Sequence, residues 1–462
     1  MGKIKITIED LFNISGAVIY NPDEYKPFSS VVIDSRKLKK GSLFVAVKGE
    51  KFDGHDFVFD AIKKGACAVV VDEKKFQGFD SLKIPVVTVK NTTKAFGEIA
   101  ATWRNKLNAK IISITGSNGK TTVKEMTATL LSEKYRVVKT AANNNNHIGV
   151  PLTILSANEK CEALVLEQGT NHFNEIRYST AISQPDYALI TNIGYSHLEF
   201  LKNREGVYKE KSALLTATLN RGGKIFANTD DSIIIKKTKH FKNKITFGFR
   251  GFVDVKGKVL GFTNDGRTKI KITKGRKNFE TVLPVYGKSN AQNFLAAAAI
   301  ALEFGLTPHQ IINGSKKLQP VHGRLEVKNF KDAVVIDDSY NASPASTELA
   351  IDLVKKIKTF KNKLFVLGDM FELGINSAKL HVSLAEKFSP SKNITVLTFG
   401  SLMKNLHKEL RKMKVRSIHF HLREALSLYL KYEEIGKSVI LVKGSRGMKM
   451  EEFVNILEKR FE

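Results

Sequence analysis

The chain is poor in the residues from which disulfide frameworks and zinc sites are built. Only two of its 462 residues are cysteines, Cys67 and Cys161, and they are far apart in the sequence. Zinc sites and redox motifs require closely spaced cysteine pairs, and disulfide-rich scaffolds require many more cysteines. Both classes of protein are therefore excluded.

Long hydrophobic runs are also missing. The longest uninterrupted apolar stretch, residues 294–302, is much shorter than the roughly 20 residues that cross a bilayer. The first residues, MGKIK, contain no apolar segment of the kind that directs secretion. There is no internal repeat and no low-complexity linker, and 42% hydrophobic residues are typical of a globular protein. We therefore expect a cytoplasmic protein without a membrane span.

Acidic residues are scarce relative to basic ones. The chain has 46 Asp and Glu against 74 Lys and Arg, a formal net charge of +28, which is compatible with a nucleic-acid partner. Residues 325–462 hold 24 basic and 17 acidic residues, close to a proportional share of the excess, and no basic tail or aromatic RNA-binding motif is present. We expect no nucleic-acid partner, and a polyanion-binding surface stays open as the alternative to a general lysine bias.

The length and the alternation of strand and helix patterns predict an α/β protein of three domains, over residues 1–108, 109–322 and 323–462. The second opens with a strand and a helix, and alternation continues to about residue 319. The third has the pattern of a doubly wound, Rossmann-like parallel sheet. The predicted strands cover 31–33, 43–47, 68–71, 86–89, 111–114, 163–166, 187–190, 333–336, 363–367, 394–399 and 438–442, and the predicted helices cover 56–64, 120–133, 294–303, 345–359 and 378–388.

A phosphate-binding loop stands between the first strand and helix of the second domain. Its sequence, TGSNGKTT over residues 115–122, follows an apolar strand and opens a helix. Glycines let backbone amides approach phosphate, a lysine reaches the terminal phosphates, and a threonine hydroxyl binds Mg²⁺. Ile114 replaces the first glycine of the strict pattern, so the loop is short. The predicted ATP-binding residues are Gly116, Ser117, Asn118, Gly119, Lys120, Thr121 and Thr122.

Other polar residues follow strands or open helices of the same domain. Glu167 and His197 each follow an apolar strand, and together with Thr121 they would suit Mg²⁺ better than zinc. For each residue alone, a solvated strand end or a structural role is the alternative. Lys211 has the pattern of a solvated helical lysine. Asn290 and Asn293 could contact an adenine edge, and helix capping by Asn290 is equally compatible with the sequence.

With these motifs, the chain resembles the Mur ligase family, the ATP-dependent amide-forming enzymes of peptidoglycan synthesis, over essentially its full length. The phosphate loop, His197 and Arg324 resemble the family broadly, and further motifs resemble the member that adds D-alanyl-D-alanine. The matching segments are DSR (34–36), FDGHDF (52–57), NNNHIGVP (144–151), EQGTNH (167–172), SHLE (196–199), HGRL (322–325), DDSYNA (337–342), LGDM (367–370) and KGSRG (443–447).

The resemblance implies a central ATPase domain between an N-terminal domain that holds the UDP end of the substrate and a Rossmann-like C-terminal domain that receives the amine. It implies ATP and two Mg²⁺ as cofactors, a carbamylated lysine at Lys211, and UDP-N-acetylmuramoyl-tripeptide and D-alanyl-D-alanine as substrates of a monomer. The implied catalytic residues are Lys120, Lys211, His197 and Arg324, and the implied metal ligands are Thr121, Glu167, His197 and Lys211. Further implied ATP contacts are Asn290, Asn293, Arg324 and Asp338. The implied substrate contacts are Asp34, Ser35, Arg36, Asp53, Gly54, His55, Asn146, Tyr340, Asn341, Ser445 and Arg446.

Some positions depart from the family pattern. They are Ser343, where Asn is common, His147, where an acidic residue is common, and Gln168 and Thr170 in a segment that is usually smaller or apolar. None removes an implied catalytic group. The alternatives that stay open are a Mur or folylpolyglutamate-type ligase for another amine, a non-enzymatic protein on this scaffold, and a polyanion-binding P-loop protein.

Overall fold

Three sheets organise the chain in the computed structural model, which describes residues 4–263 and 266–462. Each sheet has helices packed against it, and the sheets follow one another along the chain without exchange of strands. The predicted α/β fold class is therefore confirmed. The divisions at 108/109 and 322/323 stay predictions, and each falls between two of the sheets. No helix in the described ranges is long and apolar enough to cross a membrane.

The first sheet has five strands in the order β1-β5-β4-β3-β2, with β1 antiparallel to β5 and the other neighbours parallel. The strands are β1 (Val18–Tyr20), β2 (Ser30–Val32), β3 (Ser42–Val45), β4 (Ala66–Asp72) and β5 (Val86–Val89), and the helices are α1 (Ile8–Phe12), α2 (Val58–Lys63) and α3 (Thr92–Lys106). The side chain of Asn91 caps α3 by accepting a hydrogen bond from the Lys94 amide. Trp103 of α3 is fully buried and donates to the Ala157 carbonyl of the second unit at 2.9 Å. The first two units therefore share one core.

The second sheet has nine strands in the order β14-β13-β12-β11-β10-β9-β6-β8-β7. The strands are β6 (Lys110–Thr115), β7 (Val137–Lys139), β8 (Ala163–Glu167), β9 (Tyr187–Ile190), β10 (Lys224–Asn228), β11 (Lys244–Gly248), β12 (Val255–Phe262), β13 (Arg267–Lys274) and β14 (Lys277–Tyr286). The helices are α4 (Lys120–Leu131), α5 (Gly149–Ser156), α6 (Glu175–Ser183), α7 (Leu198–Leu201), α8 (Arg204–Asn220), α9 (Ser232–Lys237), α10 (Gly287–Glu303) and α11 (Pro308–Lys316). The strands β6, β8 and β9 are parallel neighbours, so their carboxyl ends meet at one edge of the sheet.

One prediction for this unit is wrong. Strand and helix do not alternate up to residue 319, because β12, β13 and β14 form an antiparallel meander with no helix between them. Along β13, Thr268, Ile270 and Ile272 are buried, and the lysines between them are more exposed. This alternation with a period of two is the pattern of a strand with one buried face.

The third sheet has six strands in the order β15-β16-β20-β17-β18-β19. The strands are β15 (Glu326–Asn329), β16 (Ala333–Asp338), β17 (Asn362–Gly368), β18 (Ile394–Phe399), β19 (Ser417–Phe420) and β20 (Ser438–Lys443), and the helices are α12 (Pro344–Lys356), α13 (Ser377–Val382), α14 (Met403–Lys412), α15 (Arg423–Tyr432) and α16 (Glu451–Phe461). The edge strand β15 is antiparallel to β16, so the sheet is mixed and not purely parallel as expected. The predicted helix at 378–388 divides into α13 and a 3₁₀ segment, Ser383–Lys387.

Candidate active site

The loop between β6 and α4 has a backbone that only glycine accommodates at two positions. Gly116 has φ +146° and Gly119 has φ +82°, and a Cβ at Gly116 would collide with the Thr191 hydroxyl. The Ser117 and Asn118 amides donate to the backbone and side-chain oxygens of Asn192, at 3.0 and 3.1 Å. These two amides therefore hold the loop against the end of β9. The groups left for phosphate are the N–H groups in the first turn of α4, where no side chain caps the helix.

Lys120 folds back over this loop. Its Nζ donates to the Gly116 carbonyl at 2.9 Å. Burial lowers the pKa of Lys120, the nearby Arg324 lowers it further, and Glu167 opposes both. The first turn of α4 thus combines unpaired amides, an ammonium group and a guanidinium group, which is the environment that an anionic polyphosphate requires.

Glu167 lies at the end of β8 beside the loop and is almost completely buried, which contradicts the alternative of a solvated strand end. Its Oε1 accepts hydrogen bonds from Thr121 Oγ1 at 3.2 Å and from Asn145 Nδ2 at 2.8 Å. Its Oε2 is buried with no hydrogen-bond partner in the described part of the chain, and Lys124 Nζ lies 3.9 Å away. A hydroxyl oxygen and an incompletely satisfied carboxylate are hard donors that fit Mg²⁺.

Lys211 is the largest departure from what its local sequence indicates. The side chain is fully buried, and Nζ has no hydrogen-bond partner among residues 4–263 and 266–462. Burial lowers the pKa of Lys211 well below its ordinary value, the charge of Lys120 lowers it further, and Glu210 opposes both. The reading as a solvated lysine is therefore wrong, and burial disfavours the charged form of the amine.

His197 contacts the third unit. It has φ +53°, and its Nδ1 lies 2.7 Å from Glu372 Oε2. The Leu198 amide donates to the Glu372 carbonyl at 2.9 Å, and the nearby His197 imidazole lowers the pKa of Glu372. The neighbouring Ser196 hydroxyl reaches Ser117 of the loop at 2.9 Å. His197 thus lies between the phosphate loop and the third unit, and in the part of the chain that the structure describes no hydrogen bond or ion pair joins it to Thr121 or Glu167.

Two residues of the third unit reach the loop itself. Arg324 Nη2 donates to Thr121 Oγ1 at 3.2 Å, and its guanidinium carbon lies 4.2 Å from the ring centre of Tyr340. Ser343, which departs from the family pattern, caps α12 and also donates to Asn118 Oδ1 at 2.9 Å. The serine at this position therefore makes a polar contact with the loop.

A cavity of about 220 Å³ lies beside α4 and next to the loop. Its lining residues are Thr122, Glu125, Met126, Thr129, Lys139, Val285, Asn290, Lys317, Leu318, Gln319, Pro320, Val321, Arg324 and Leu325. Asn290 is not a helix cap, because α10 begins at Gly287 and Asn290 Nδ2 donates to the Tyr286 carbonyl at 2.9 Å. Asn293 packs on the loop itself, where a Cβ at Gly119 would lie 2.5 Å from its Oδ1.

The remaining third-unit residues form a cluster at the carboxyl ends of β16 and β20. Asp338 pairs with Lys443 at 2.5 Å and accepts from the Leu325 amide at 3.1 Å. Burial raises the pKa of Asp338, although Lys443 opposes this effect. Asn341 Oδ1 accepts from the Arg446 amide at 3.4 Å, and Ser445 Oγ accepts from the Phe371 amide at 2.8 Å. The Arg446 side chain pairs with Glu451 and stands 5.5 Å from the Tyr340 ring.

Several predicted substrate residues support turns with their side chains. The Asp34 carboxylate accepts two 2.9 Å hydrogen bonds from the Arg36 side chain. Ser35, which lies between these two residues in the chain, is buried. His55 Nδ1 lies 2.5 Å from Asp53, and His55 Nε2 accepts from the Asp72 amide at 2.9 Å. Both ring nitrogens of His55 are therefore engaged within the first unit.

Two further predicted residues are tied to local backbone. Gly54 lies against the backbone of Val47, so a Cβ there would be 2.7 Å from the Val47 nitrogen. Asn146 Oδ1 accepts from the Ile148 and Gly149 amides at 3.2 and 2.9 Å and so supports the start of α5. Of the unusual residues nearby, Gln168 bonds Ser113, Thr180 and Ser183 in a buried network, and His147 is exposed.

Sequence reasoning missed four residues at this site. Lys124 is fully buried and donates to the Thr140 and Ala142 carbonyls at 2.7 and 3.1 Å, and Asn145 bonds Glu167. Glu372 pairs with His197, and Glu210 accepts from the Asn174 and Ile176 amides. Lys124 lies one helical turn beyond Lys120. This spacing places the two lysines on the same face of α4, so the sequence could have indicated that Lys124 lies near the site. The other three depend on long-range contacts.

Comparisons with known proteins agree with this arrangement. The profile described as "Mur ligase family, catalytic domain" matches residues 27–104, "Mur ligase middle domain" matches 114–301, and "Mur ligase, glutamate ligase domain" matches 323–446. Among curated proteins, the chain is 35% identical to the UDP-N-acetylmuramoyl-tripeptide–D-alanyl-D-alanine ligase of Bacillus subtilis over 458 residues, 98% of each chain. It is 34% identical to the ligase of the same name from Escherichia coli over 462 residues, 99% of each.

Solved structures extend the likeness to three dimensions. MurF from Acinetobacter baumannii has a TM-score of 0.86 at 28% identity and covers 98% of both chains. The MurF ligase of Thermotoga maritima in complex with ADP has a TM-score of 0.82 at 28% identity and covers 94% of this chain and 97% of that one. With all three family profiles matched in order and relatives aligned end to end, the chain belongs to the Mur ligase family.

Proposed function

We propose that the chain is the ATP-dependent, ADP-forming ligase that joins D-alanyl-D-alanine to UDP-N-acetylmuramoyl-tripeptide in peptidoglycan synthesis. The observation that carries this proposal is the hydrogen bond from Arg324 of the third unit to Thr121 of the phosphate loop. It brings the third unit, the proposed amine-binding unit, onto the proposed nucleotide site of the second. The full-length relatives that carry this activity in their names support the choice of substrates.

The reaction must first activate a carboxylate, because oxide is too poor a leaving group for direct attack by an amine. A terminal carboxylate oxygen of the tripeptide bonds to the γ-phosphorus of ATP, and the bond from that phosphorus to the β–γ bridging oxygen breaks to release ADP. The amine of D-alanyl-D-alanine then bonds to the acyl carbon and loses a proton. The carbon–oxygen bond to phosphate breaks, and inorganic phosphate leaves.

Both steps bring anions together, so the site must offset charge and fix geometry. Lys120 and Arg324 supply positive charge, and the first-turn amides of α4 bind phosphate oxygens. Thr121 and Glu167 would hold Mg²⁺, which when bound neutralises phosphate charge. The 2.8 Å hydrogen bond from Asn145 orients the Glu167 carboxylate for that role. Contacts of Ser343 and Glu372 close the third unit over the loop and exclude water from the acyl phosphate.

We further propose that Lys211 is carbamylated and, with His197, serves a second Mg²⁺. The buried, unpartnered amine with a lowered pKa supports this, because only the neutral amine adds to CO₂. The addition of the neutral amine to CO₂ forms a nitrogen–carbon bond, releases one proton and leaves an oxygen anion able to bind a hard metal. The test is the activity of Lys211→Ala with and without short carboxylic acids, beside wild type depleted of and resupplied with bicarbonate.

The substrates are proposed to extend to both sides of the loop. The first unit would hold the UDP end near Asp34, Ser35, Arg36 and Gly54. Asn146 would lie along the peptide, and Asp338, Asn290 and Asn293 would contact the nucleoside of ATP. In the third unit Tyr340, Asn341, Ser445 and Arg446 would receive the dipeptide, whose terminal carboxylate suits a guanidinium group.

Phosphate release distinguishes this function from its rivals. Purified protein with ATP, Mg²⁺ and UDP-N-acetylmuramoyl-tripeptide is assayed with D-alanyl-D-alanine and, separately, with single amino acids including glutamate. We expect release that depends on the dipeptide. Release driven by another amine would identify a different ligase of the family, and stimulation by nucleic acid alone would favour a polyanion-binding ATPase.

A further inference from the structure

A group of potential metal ligands lies where the second and third units join, at the start of the third sheet. His322, Glu326 and Asp337 each place one donor atom so that the three atoms lie within 4.8 Å of one another. His322 Nδ1 is 3.0 Å from Glu326 Oε2. His322 is exposed and Asp337 is fully buried, so the group runs from the surface into the start of the third sheet.

The two carboxylates of this group are placed unfavourably unless a cation lies between them. Glu326 and Asp337 stand directly opposite each other in the antiparallel pair of β15 and β16. Like charges in this position destabilise a strand pair. Asp337 Oδ1 accepts from the Ser339 amide at 3.0 Å, whereas Oδ2 is buried and has no hydrogen-bond partner in the described chain. A buried carboxylate oxygen left in this way costs free energy that a bound cation would remove.

Among residues 4–263 and 266–462, the ammonium group that contacts this cluster is that of Lys328, and it does not balance the charge of the cluster. Lys328 Nζ lies 4.0 Å from Glu326 Oε1 and also pairs with Glu458. The carboxylates of Glu326, Asp337 and Glu458 therefore outnumber the one ammonium group beside them by two. That excess equals the charge of one divalent cation.

We propose that His322, Glu326 and Asp337 bind a divalent cation of the Zn²⁺ and Mn²⁺ class at a site separate from catalysis. One imidazole nitrogen and two carboxylate oxygens, with further positions open to water, form a donor set that suits such ions. Mg²⁺ favours oxygen donors, so the oxygen pair at Thr121 and Glu167 suits Mg²⁺ better than this site does.

The position of the site indicates that the cation would restrain the segment that carries Arg324. His322 lies two residues before Arg324, whose guanidinium group reaches Thr121. A cation that ties His322 to β15 and β16 fixes the segment from which Arg324 extends. We therefore expect the cation to support the contact between the third unit and the loop without touching a substrate.

Co²⁺ is the probe, because its visible absorption reports coordination by nitrogen and oxygen donors. The full chain is held with ADP and excess Mg²⁺, so that Mg²⁺ occupies the loop site, and is titrated with Co²⁺ and then with competing Zn²⁺. We expect one equivalent of Co²⁺ that Zn²⁺ displaces. His322→Ala should weaken binding by at least about tenfold.

Three further variants separate this site from the rest of the molecule. Asp337→Asn keeps an acceptor for the Ser339 amide and should also weaken Co²⁺ binding. His309→Ala removes an exposed histidine of α11 and should bind Co²⁺ like wild type. Thr121→Ala should retain the Co²⁺ site even though it disables the loop, so failure of the proposed ligase activity would leave this proposal standing. No saturable Co²⁺ binding by wild type, or equal affinity in wild type and His322→Ala, would overturn it.

Discussion

Arg324 Nη2 lies 3.2 Å from Thr121 Oγ1, although 203 positions separate the two residues in the chain. The guanidinium group also faces the ring of Tyr340 at 4.2 Å, and this stacking contact restrains its orientation. Thr121 in turn donates to Glu167. Two successive hydrogen bonds therefore link the third unit to the Glu167 carboxylate of the second unit.

We predict that Arg324→Lys does not replace Arg324. A lysine retains the charge but has neither the planar fork that reaches Thr121 nor the flat surface that stacks on Tyr340. Steady-state kinetics should show a loss of kcat/KM for ATP in Arg324→Lys nearly as large as in Arg324→Ala. Wild-type kinetics in Arg324→Lys would mean that charge alone is required at this position.

Lys120→Ala and Thr121→Ala should abolish most turnover and leave the fold intact. Both side chains face the proposed phosphate site and neither belongs to a hydrophobic core. The loss of one preorganised charge contact typically reduces the rate by roughly 10²- to 10³-fold. Lys110→Ala, at the exposed start of β6, is the matched control and should remain active. Near-normal kcat in a well-folded Lys120→Ala would remove this loop from the mechanism.

Lys211 should make the stability of the protein depend on pH. Because its pKa is lowered in the folded state, the unfolded chain binds more protons between that lowered pKa and the ordinary value near about 10.4. The destabilising effect is therefore complete below the lowered pKa and disappears as the pH rises through this window. In CO₂-free buffer, Lys211→Met should be more stable than wild type to denaturant at neutral pH, and the difference should shrink at alkaline pH. A difference that does not change with pH would contradict the burial of an ionisable amine.

Glu372→Gln tests the contact between His197 and the third unit. The substitution removes the carboxylate charge that pairs with His197 but leaves the carbonyl that accepts from the Leu198 amide. We expect a lower kcat with an unchanged fold, because closure of the third unit is weakened. Solution scattering with ATP and the nucleotide substrate should show less compaction than in wild type. Equal compaction and equal kcat would show that this contact does not contribute to closure.

The local features of the site were predictable from the sequence. The loop from Gly116 to Thr122 combines a strand, two glycines, a lysine and a helix start within a few positions, and each of these signals is short-range. The fold class was also predictable, because the alternation of strand and helix patterns consists of short-range signals as well. The meander of β12 to β14 was missed because the strong alternation before it was extended past its end.

The environment of individual side chains was not predictable in this way. Lys211 stands in a helix with an ordinary charged pattern, and only packing against distant parts of the second unit shows that it is buried. The partner of His197 is Glu372, which lies in another unit. Asn290 was considered a possible helix cap because the alanine-rich pattern begins at Phe294, whereas α10 begins seven residues earlier, at Gly287.

The most direct test of the account follows oxygen from the tripeptide carboxylate. UDP-N-acetylmuramoyl-tripeptide labelled with ¹⁸O in its terminal carboxylate is incubated with the protein, ATP, Mg²⁺ and D-alanyl-D-alanine, and the released phosphate is analysed by mass spectrometry. An acyl phosphate transfers one carboxylate oxygen to phosphate for each amide formed, so we predict one ¹⁸O per phosphate in proportion to product. Unlabelled phosphate released together with product would contradict the acyl-phosphate mechanism.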